Sequence, residues 1–92
     1  MNVISFCWTM FNTKIAELEA AIEVMDKLVT QTREMLTYVL CSHPGPTRLP
    51  AAFLLQGILN DLTRELNCLQ RALEREKRRA NAMEHRLNVL FP

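Results

Sequence analysis

The sequence predicts an all-α protein, an antiparallel helical hairpin, from three observations. Apolar residues make up 49% of the 92 residues and only two residues are glycine, a composition typical of a packed chain. Three of the four prolines and one glycine fall within residues 41–50, which forbids a continuous helix there. Apolar residues recur at helical spacing on both sides of this cluster. We expect one domain over 1–92, with helices at about 3–41 and 50–90 and a hinge at 42–49.

The first helix carries a wide apolar stripe whose spacing alternates between three and four residues. The stripe consists of Ile15, Leu18, Ile22, Met25, Val29, Leu36 and Val39. Thr32 is its one polar gap, and Leu28 and Met35 widen it. A stripe of this width is typical of a helix in a bundle rather than in a two-stranded seam.

Two starting points are open for this first helix. Asn12 or Thr13 could cap it, or it could begin near residue 3 and include Trp8 and Phe11. The longer helix is favoured, because a hairpin centred near residue 45 would bring the two aromatic residues to small or flexible ones. Those partners are Ala80, Ala82 and Met83.

The second helix has a heptad seam that only Glu76 interrupts. The seam consists of Leu62, Leu66, Leu69, Leu73, Ala80, Met83, Leu87 and Leu90. Pro50 is predicted as the first helical residue. Gly57 marks either a close helix crossing or a simple imperfection. Cys68 is expected at the edge of the core.

Two helices cannot enclose a core, so the wide first stripe needs a further partner. A symmetric homodimer that forms a four-helix bundle would supply it. The residues predicted to form the core and the dimer contact are Ile15, Leu18, Ile22, Met25, Val29, Leu62, Leu66, Leu69, Leu73 and Leu87.

Basic residues are concentrated in the second half of the chain. Residues 1–42 carry a formal net charge of −2 and residues 43–92 carry +3. Opposite the second seam, a column at heptad spacing reads Gly57, Arg64, Arg71, Arg78 and His85. Arg75, Arg79 and Arg86 flank it, and we expect all of these arginines to share one helix face. Solvated outer positions of coiled coils are often charged, but an arginine-dominated column suits phosphate.

A long basic helix face favours duplex RNA, because A-form grooves are read through shape, phosphates and 2′-hydroxyls. The candidate phosphate contacts are Arg64, Arg71, Arg75, Arg78, Arg79 and Arg86, with Asn67 or Gln70 as sugar contacts. A small basic hairpin that dimerises resembles the RNA-silencing suppressors of nodaviruses. The resemblance is architectural and covers most of the chain. It implies a homodimer that binds double-stranded RNA without reading sequence and so withholds it from silencing enzymes.

No catalytic motif is visible, so we expect a binding protein rather than an enzyme, with no cofactor and no metal. Cys41 and His43 lack a second ligand pair at zinc spacing. Three widely spaced cysteines and no secretory signal favour a reducing, cytoplasmic location. No apolar run is long enough for a membrane span. The rival hypothesis is a coiled-coil adaptor whose first apolar stripe docks another helical protein.

Overall fold

The computed structural model describes residues 3–42, 45 and 48–91, with side chains at 9–42, 45 and 49–91. It contains two α-helices, α1 (Val3–Ser42) and α2 (Arg48–Leu90), which pack against each other. The principal dimensions are 69 × 18 × 14 Å, so the hairpin is a rod one helix thick and two helices wide. The predicted all-α helical hairpin is confirmed.

The helix boundaries follow from local chemistry at the ends. Helix α1 runs through Asn12 and Thr13 without a break, so neither residue caps it. The Thr13 hydroxyl instead donates to the Thr9 carbonyl oxygen at 2.9 Å. Helix α2 begins at Arg48, two residues earlier than predicted, and Pro50 occupies its first turn, where a backbone N–H has no helical acceptor. Between the helices, Gly45 has φ 95°, a conformation that glycine adopts readily.

An antiparallel seam joins the helices along their length. Val29, Leu59 and Leu66 form its buried centre, and the half-buried residues Ile22, Met25, Leu36 and Leu62 pack around them. Near the open end, Lys14 of α1 lies 3.2 Å from Glu76 of α2. Facing residues therefore have numbers that sum to about 91 in a regular antiparallel hairpin.

The register also places Phe11 where the hairpin prediction requires it. Phe11 lines an open cleft with Ala82 and Met83. The side chain of Trp8 lies outside the described residues, so its predicted contact stays a prediction. The agreement for Phe11 ties the early part of α1 to the last third of α2.

Most of the predicted seam lies on the inner face of the hairpin. Val29 and Leu66 are buried, and the rest of the predicted core is half-buried: Ile15, Leu18, Ile22, Met25, Leu62, Leu69, Leu73 and Leu87. Leu59 is also buried, although it was not predicted, and it extends the heptad spacing toward the hinge. Two placements were wrong. Leu90 is 69% exposed at the last turn of α2, and Cys68 is exposed rather than at the edge of the core.

The two polar interruptions of the seams are buried and satisfied. Thr32 is 8% exposed, and its hydroxyl donates to the Leu28 carbonyl oxygen at 2.8 Å. Glu76 is 5% exposed, and its Oε1 atom accepts from Arg79 Nη1 at 3.0 Å while Lys14 Nζ lies 3.2 Å away. Both seams therefore keep their heptad register through a polar residue, because that residue finds its partners nearby.

Neither helix, within the described residues, combines the length and apolarity that crossing a membrane would need.

The polar seam position of α2 gives a test of what Glu76 contributes. Replacing a buried ion pair by an apolar side chain of similar size is often stabilising, and Lys14 and Arg79 are exposed enough to return to water. Glu76→Leu should raise the free energy of unfolding by about 1–2 kcal/mol, measured by urea denaturation at fixed protein concentration. The control Glu74→Leu, on the exposed side of the same helix, should change it by less than about 0.5 kcal/mol. A destabilised Glu76→Leu variant would contradict this account of the seam.

Gly57 gives a second test, because its surroundings decide between the two readings of that residue. A Cβ atom added at Gly57 would meet no atom within 4 Å, so no helix crosses closely there. Gly57→Ala should therefore stabilise the hairpin by up to about 1 kcal/mol through helix propensity alone. Thermal unfolding at matched concentration would measure it, and a lowered midpoint would show a close contact at this position.

Candidate nucleic-acid interface

Lys14 of α1 and Arg79 of α2 show which sides of the two helices lie on the same side of the hairpin. Both side chains reach the same Glu76 Oε1 atom, so both project to one side of the plane that contains the helices. Steps of three and four residues from these two positions trace that side along α1 and α2. Near the hinge it becomes apolar, and we call this part the apolar flank: Val24, Leu28, Met35 and Tyr38 of α1 with Leu54 and Ile58 of α2.

The apolar flank is open to solvent. Its side chains range from 40% exposed at Leu28 to 66% at Leu54. An open groove lined by Gln31, Met35 and Tyr38 runs along it. Exposed apolar side chains grouped on one side of a small protein are typical of an interaction surface.

The opposite side of the hairpin is polar, and we call it the polar flank. Its residues are Glu19, Asp26, Arg33, Gln56, Thr63, Gln70, Lys77 and Glu84. Its exposed apolar neighbours lie beside the hinge, at Leu40, Leu49 and Phe53. The wide apolar stripe predicted for α1 is therefore not centred on the seam, because it extends onto the apolar flank and not onto the polar one.

The predicted arginine column lies on the outer face of α2, and we call it the outer column: Gly57, Arg64, Arg71, Arg78 and His85. All five residues are exposed. Successive members are one heptad apart, about 10.5 Å along the helix axis. The column is therefore a straight row of solvated positions on the side of α2 that faces away from α1.

Two of the column's arginines have weak partners and one has none. Arg64 lies 3.6 Å from Asp61, and Arg78 lies 3.8 Å from Glu74, with both guanidinium-bearing side chains at least 75% exposed. Exposed pairs of this kind contribute little and exchange readily for another anion. Within the described part of the chain, Arg71 has no carboxylate within 4 Å. Among the arginines of the outer column, Arg71 is thus the one with no competing carboxylate among the described residues.

The three flanking arginines do not share the column's direction. Arg75 lies about 60° round the helix from the column, whereas Arg79 and Arg86 lie about 100° round, toward the side marked by Lys14. Arg79 is held by Glu76, and Arg86 lines the cleft with Phe11. All six arginines are exposed and lie within an arc of about 100° on α2, and Arg79 and Arg86 stand at the edge of that arc nearest α1.

The two candidate sugar contacts also separate. Asn67 is exposed and adjoins the outer column, about 40° from it, whereas Gln70 lies on the polar flank. Asn67 is therefore the one that a ligand on the column would meet.

The described residues contain no cluster of metal-ligating side chains. No three His, Cys, Asp or Glu side chains among them are placed to hold a metal ion. Cys41 and Cys68 are free thiols on the surface. His43, the partner considered for Cys41, lies outside the described residues.

The geometry thus defines a two-helix hairpin with a basic outer column on α2 and an apolar flank beside its hinge. Comparison with models of protein families, with curated proteins and with solved structures finds no match to this chain. The resemblance to nodavirus silencing suppressors stays a prediction.

Proposed function

We propose that the chain forms a homodimeric four-helix bundle that binds double-stranded RNA along the outer column without reading its sequence. The observation that carries the proposal is the exposed row of Arg64, Arg71 and Arg78 on one unbroken helix. In a cell, such binding would withhold duplex RNA from silencing enzymes in the cytoplasm. The chain would act by covering its ligand, with no catalysis.

The side-chain chemistry of the column supports a phosphate ligand. Guanidinium groups bind phosphate through paired N–H donors and stay charged at any physiological pH. The weak partners Asp61 and Glu74 can give way to phosphate because both pairs are largely solvated. Neutralising phosphates also releases counterions from the duplex, which favours binding most at low salt.

The shape of the column favours duplex RNA over the major groove of DNA. From Arg64 to Arg78 the row runs about 21 Å along one helix, and it has no protruding arm or loop. Sequence readout in B-DNA needs side chains that reach base edges inside the major groove. A row of arginines on the side of a rod instead touches phosphates and 2′-hydroxyls, which lie at the surface of an A-form duplex.

The exposed area supports the homodimer. The hairpin exposes 7041 Å², whereas a compact monomer of this mass exposes about 5,500 Å². Part of that excess comes from its rod shape, and part is the apolar flank. A standard protein interface removes about 800 Å² from each partner, which this excess can supply.

The apolar flank also gives the adaptor hypothesis its docking surface. In that case the flank would receive a helix of another protein. The two hypotheses differ in what the purified chain does alone. A dimer covers its own flank, whereas an adaptor leaves it open and associates without a fixed stoichiometry.

Reversal of charge in the outer column tests RNA binding. The double variant Arg71→Glu with Arg78→Glu removes two phosphate contacts per chain and adds repulsion, so affinity for duplex RNA should fall at least about tenfold at low salt. Gel shift with duplexes of two unrelated sequences would measure it, and both should respond alike. Duplex DNA of the same length should bind the unaltered protein less well.

The matched control changes the net charge equally on the polar flank. Arg33→Glu with Lys77→Glu alters two exposed basic residues that lie off the outer column. It should lose much less affinity than the column variant. Equal losses would show that total charge, and not the column, governs binding. An unaltered protein that ignores duplex RNA at low salt would end the proposal.

Lysines placed on the apolar flank test the dimer. Val24→Lys with Met35→Lys puts two ammonium groups where a second copy would pack, and burying them unpaired is strongly unfavourable. Sedimentation equilibrium should show a dimer for the unaltered chain and a monomer for this variant, with helix content retained. Ala16→Lys with Thr30→Lys, on exposed positions away from the flank, should leave the dimer intact. A monomeric unaltered chain at micromolar concentration would refute the dimer.

A further inference from the structure

We propose that two hairpins pair with their hinges at the same end, so that α1 of each copy packs on α2 of the other. The twofold axis then runs parallel to the helices. This inference rests on the homodimer of the proposed function and is independent of RNA. It follows from how residues of α1 and α2 match on the side of the hairpin marked by Lys14 and Arg79.

A parallel twofold axis keeps both copies at the same level along the rod. Each α1 residue then meets the α2 residue of the second copy whose number completes a sum of 92 or 93, within two residues of the level that faces it in its own hairpin. On this side, the register sets Tyr38 against Leu54 and Met35 against Ile58, next to the hinge. These four exposed side chains would cover one another twice, once on each side of the axis.

The same register continues to match further from the hinge. Val24, 59% exposed, meets Cys68 of the second copy, and Ala21 meets Ala72. Small residues opposite each other allow close approach of the two helices. Cys68 is exposed, although its place beside the seam predicted a position at the edge of the core. In this arrangement it packs against Val24 of the second copy.

Polar residues on this side also meet polar ones. Glu17 faces Arg75 of the second copy, an ion pair of opposite charges, and Gln31 faces Asp61. One pair is mismatched: Leu28 faces Glu65, whose aliphatic stem can cover it while the carboxylate reaches solvent. The polar residues of α1 therefore lie at the same levels as polar residues of α2 in the second copy. This complementarity favours a second copy of the chain over another protein as the occupant of the flank.

The other twofold arrangement puts the hinges at opposite ends and matches less well. Full overlap then stacks α1 on α1 and α2 on α2. It sets Lys14 against Met35 and Ile58 against Arg79, so apolar residues meet cations. It also brings Cys68 onto Cys68 of the second copy, at the axis. The two arrangements therefore differ in the disulfide that they allow, because only the second one permits a bond between Cys68 of the two copies.

Disulfide trapping separates the two arrangements. In a full-length chain with Cys7→Ala and Cys41→Ser, Cys68 is the remaining thiol and should give no covalent dimer on oxidation. Adding Val24→Cys should give a covalent dimer on a non-reducing gel, because this pair alone comes within disulfide reach between copies. The control Val24→Cys with Cys68→Ser should again give no covalent dimer. A covalent dimer through Cys68 alone, or a bond within one chain, would overturn the arrangement.

A charge exchange provides an independent readout. Arg75→Glu should raise the dimer dissociation constant about tenfold, because two ion pairs become two repulsive contacts. Adding Glu17→Arg should restore most of that loss, whereas adding Glu19→Arg, a neighbour on the polar flank, should not. Sedimentation equilibrium without RNA measures all three. A monomer in the unaltered chain would refute the dimer itself, while a dimer without rescue would refute only this pairing.

Discussion

A pair of helices can bury only one stripe on each partner, and the other features of this hairpin depend on that limit. The seam takes the stripe that runs through Val29 on α1 and Leu66 on α2. Each remaining apolar residue must then face solvent or a second molecule. Because the seam fixes the rotation of each helix about its axis, it also fixes where those residues go. It places Met35 and Ile58 on the apolar flank. It places the arginines of the outer column on the side of α2 that faces away from α1.

The seam favours a unique register over maximum burial. Glu76 occupies a position that leucine could fill, and its carboxylate needs both Lys14 and Arg79 nearby. A shift of the helices by one heptad would bury that carboxylate without Lys14, which disfavours the shifted hairpin strongly. Thr32 imposes no such restriction, because its hydroxyl bonds within its own helix. The two polar gaps therefore differ in kind, although they look alike in the sequence.

Periodicity and proline placement were enough to predict the two helices and their antiparallel packing. They could not predict the burial of Glu76, because spacing marks a gap in a seam without showing whether its partners reach it. Heptad counting was enough to predict the row of Arg64, Arg71 and Arg78, but not how the other arginines are used. Arg79 lies about 100° from Arg78, at the edge of the arc nearest α1, and there it pairs with Glu76. Cys68 was misplaced because it follows the seam residue Leu66 by two positions, a rotation of about 200° that points its side chain away from the seam. The apolar flank could not be predicted from the sequence, because it depends on which sides of α1 and α2 lie together, and only the contacts of Lys14 and Arg79 with Glu76 show that.

The antiparallel seam also sets an order in which the molecule can assemble. Contacts beside the hinge join residues close in sequence, whereas Lys14 and Glu76 are separated by about 60 residues and close a much longer loop. Loop-closure entropy rises with that separation, so pairing that starts near the hinge extends outward at the smallest entropic cost. The ion pairs at Glu76 form late on such a route and open early in local unfolding. Amide exchange should then be graded along the rod, slowest around Leu59 and Val29 and faster toward the end where α1 begins and α2 ends. A two-helix protein of this length would unfold locally from one end, and its hinge-proximal half would be the last part to open.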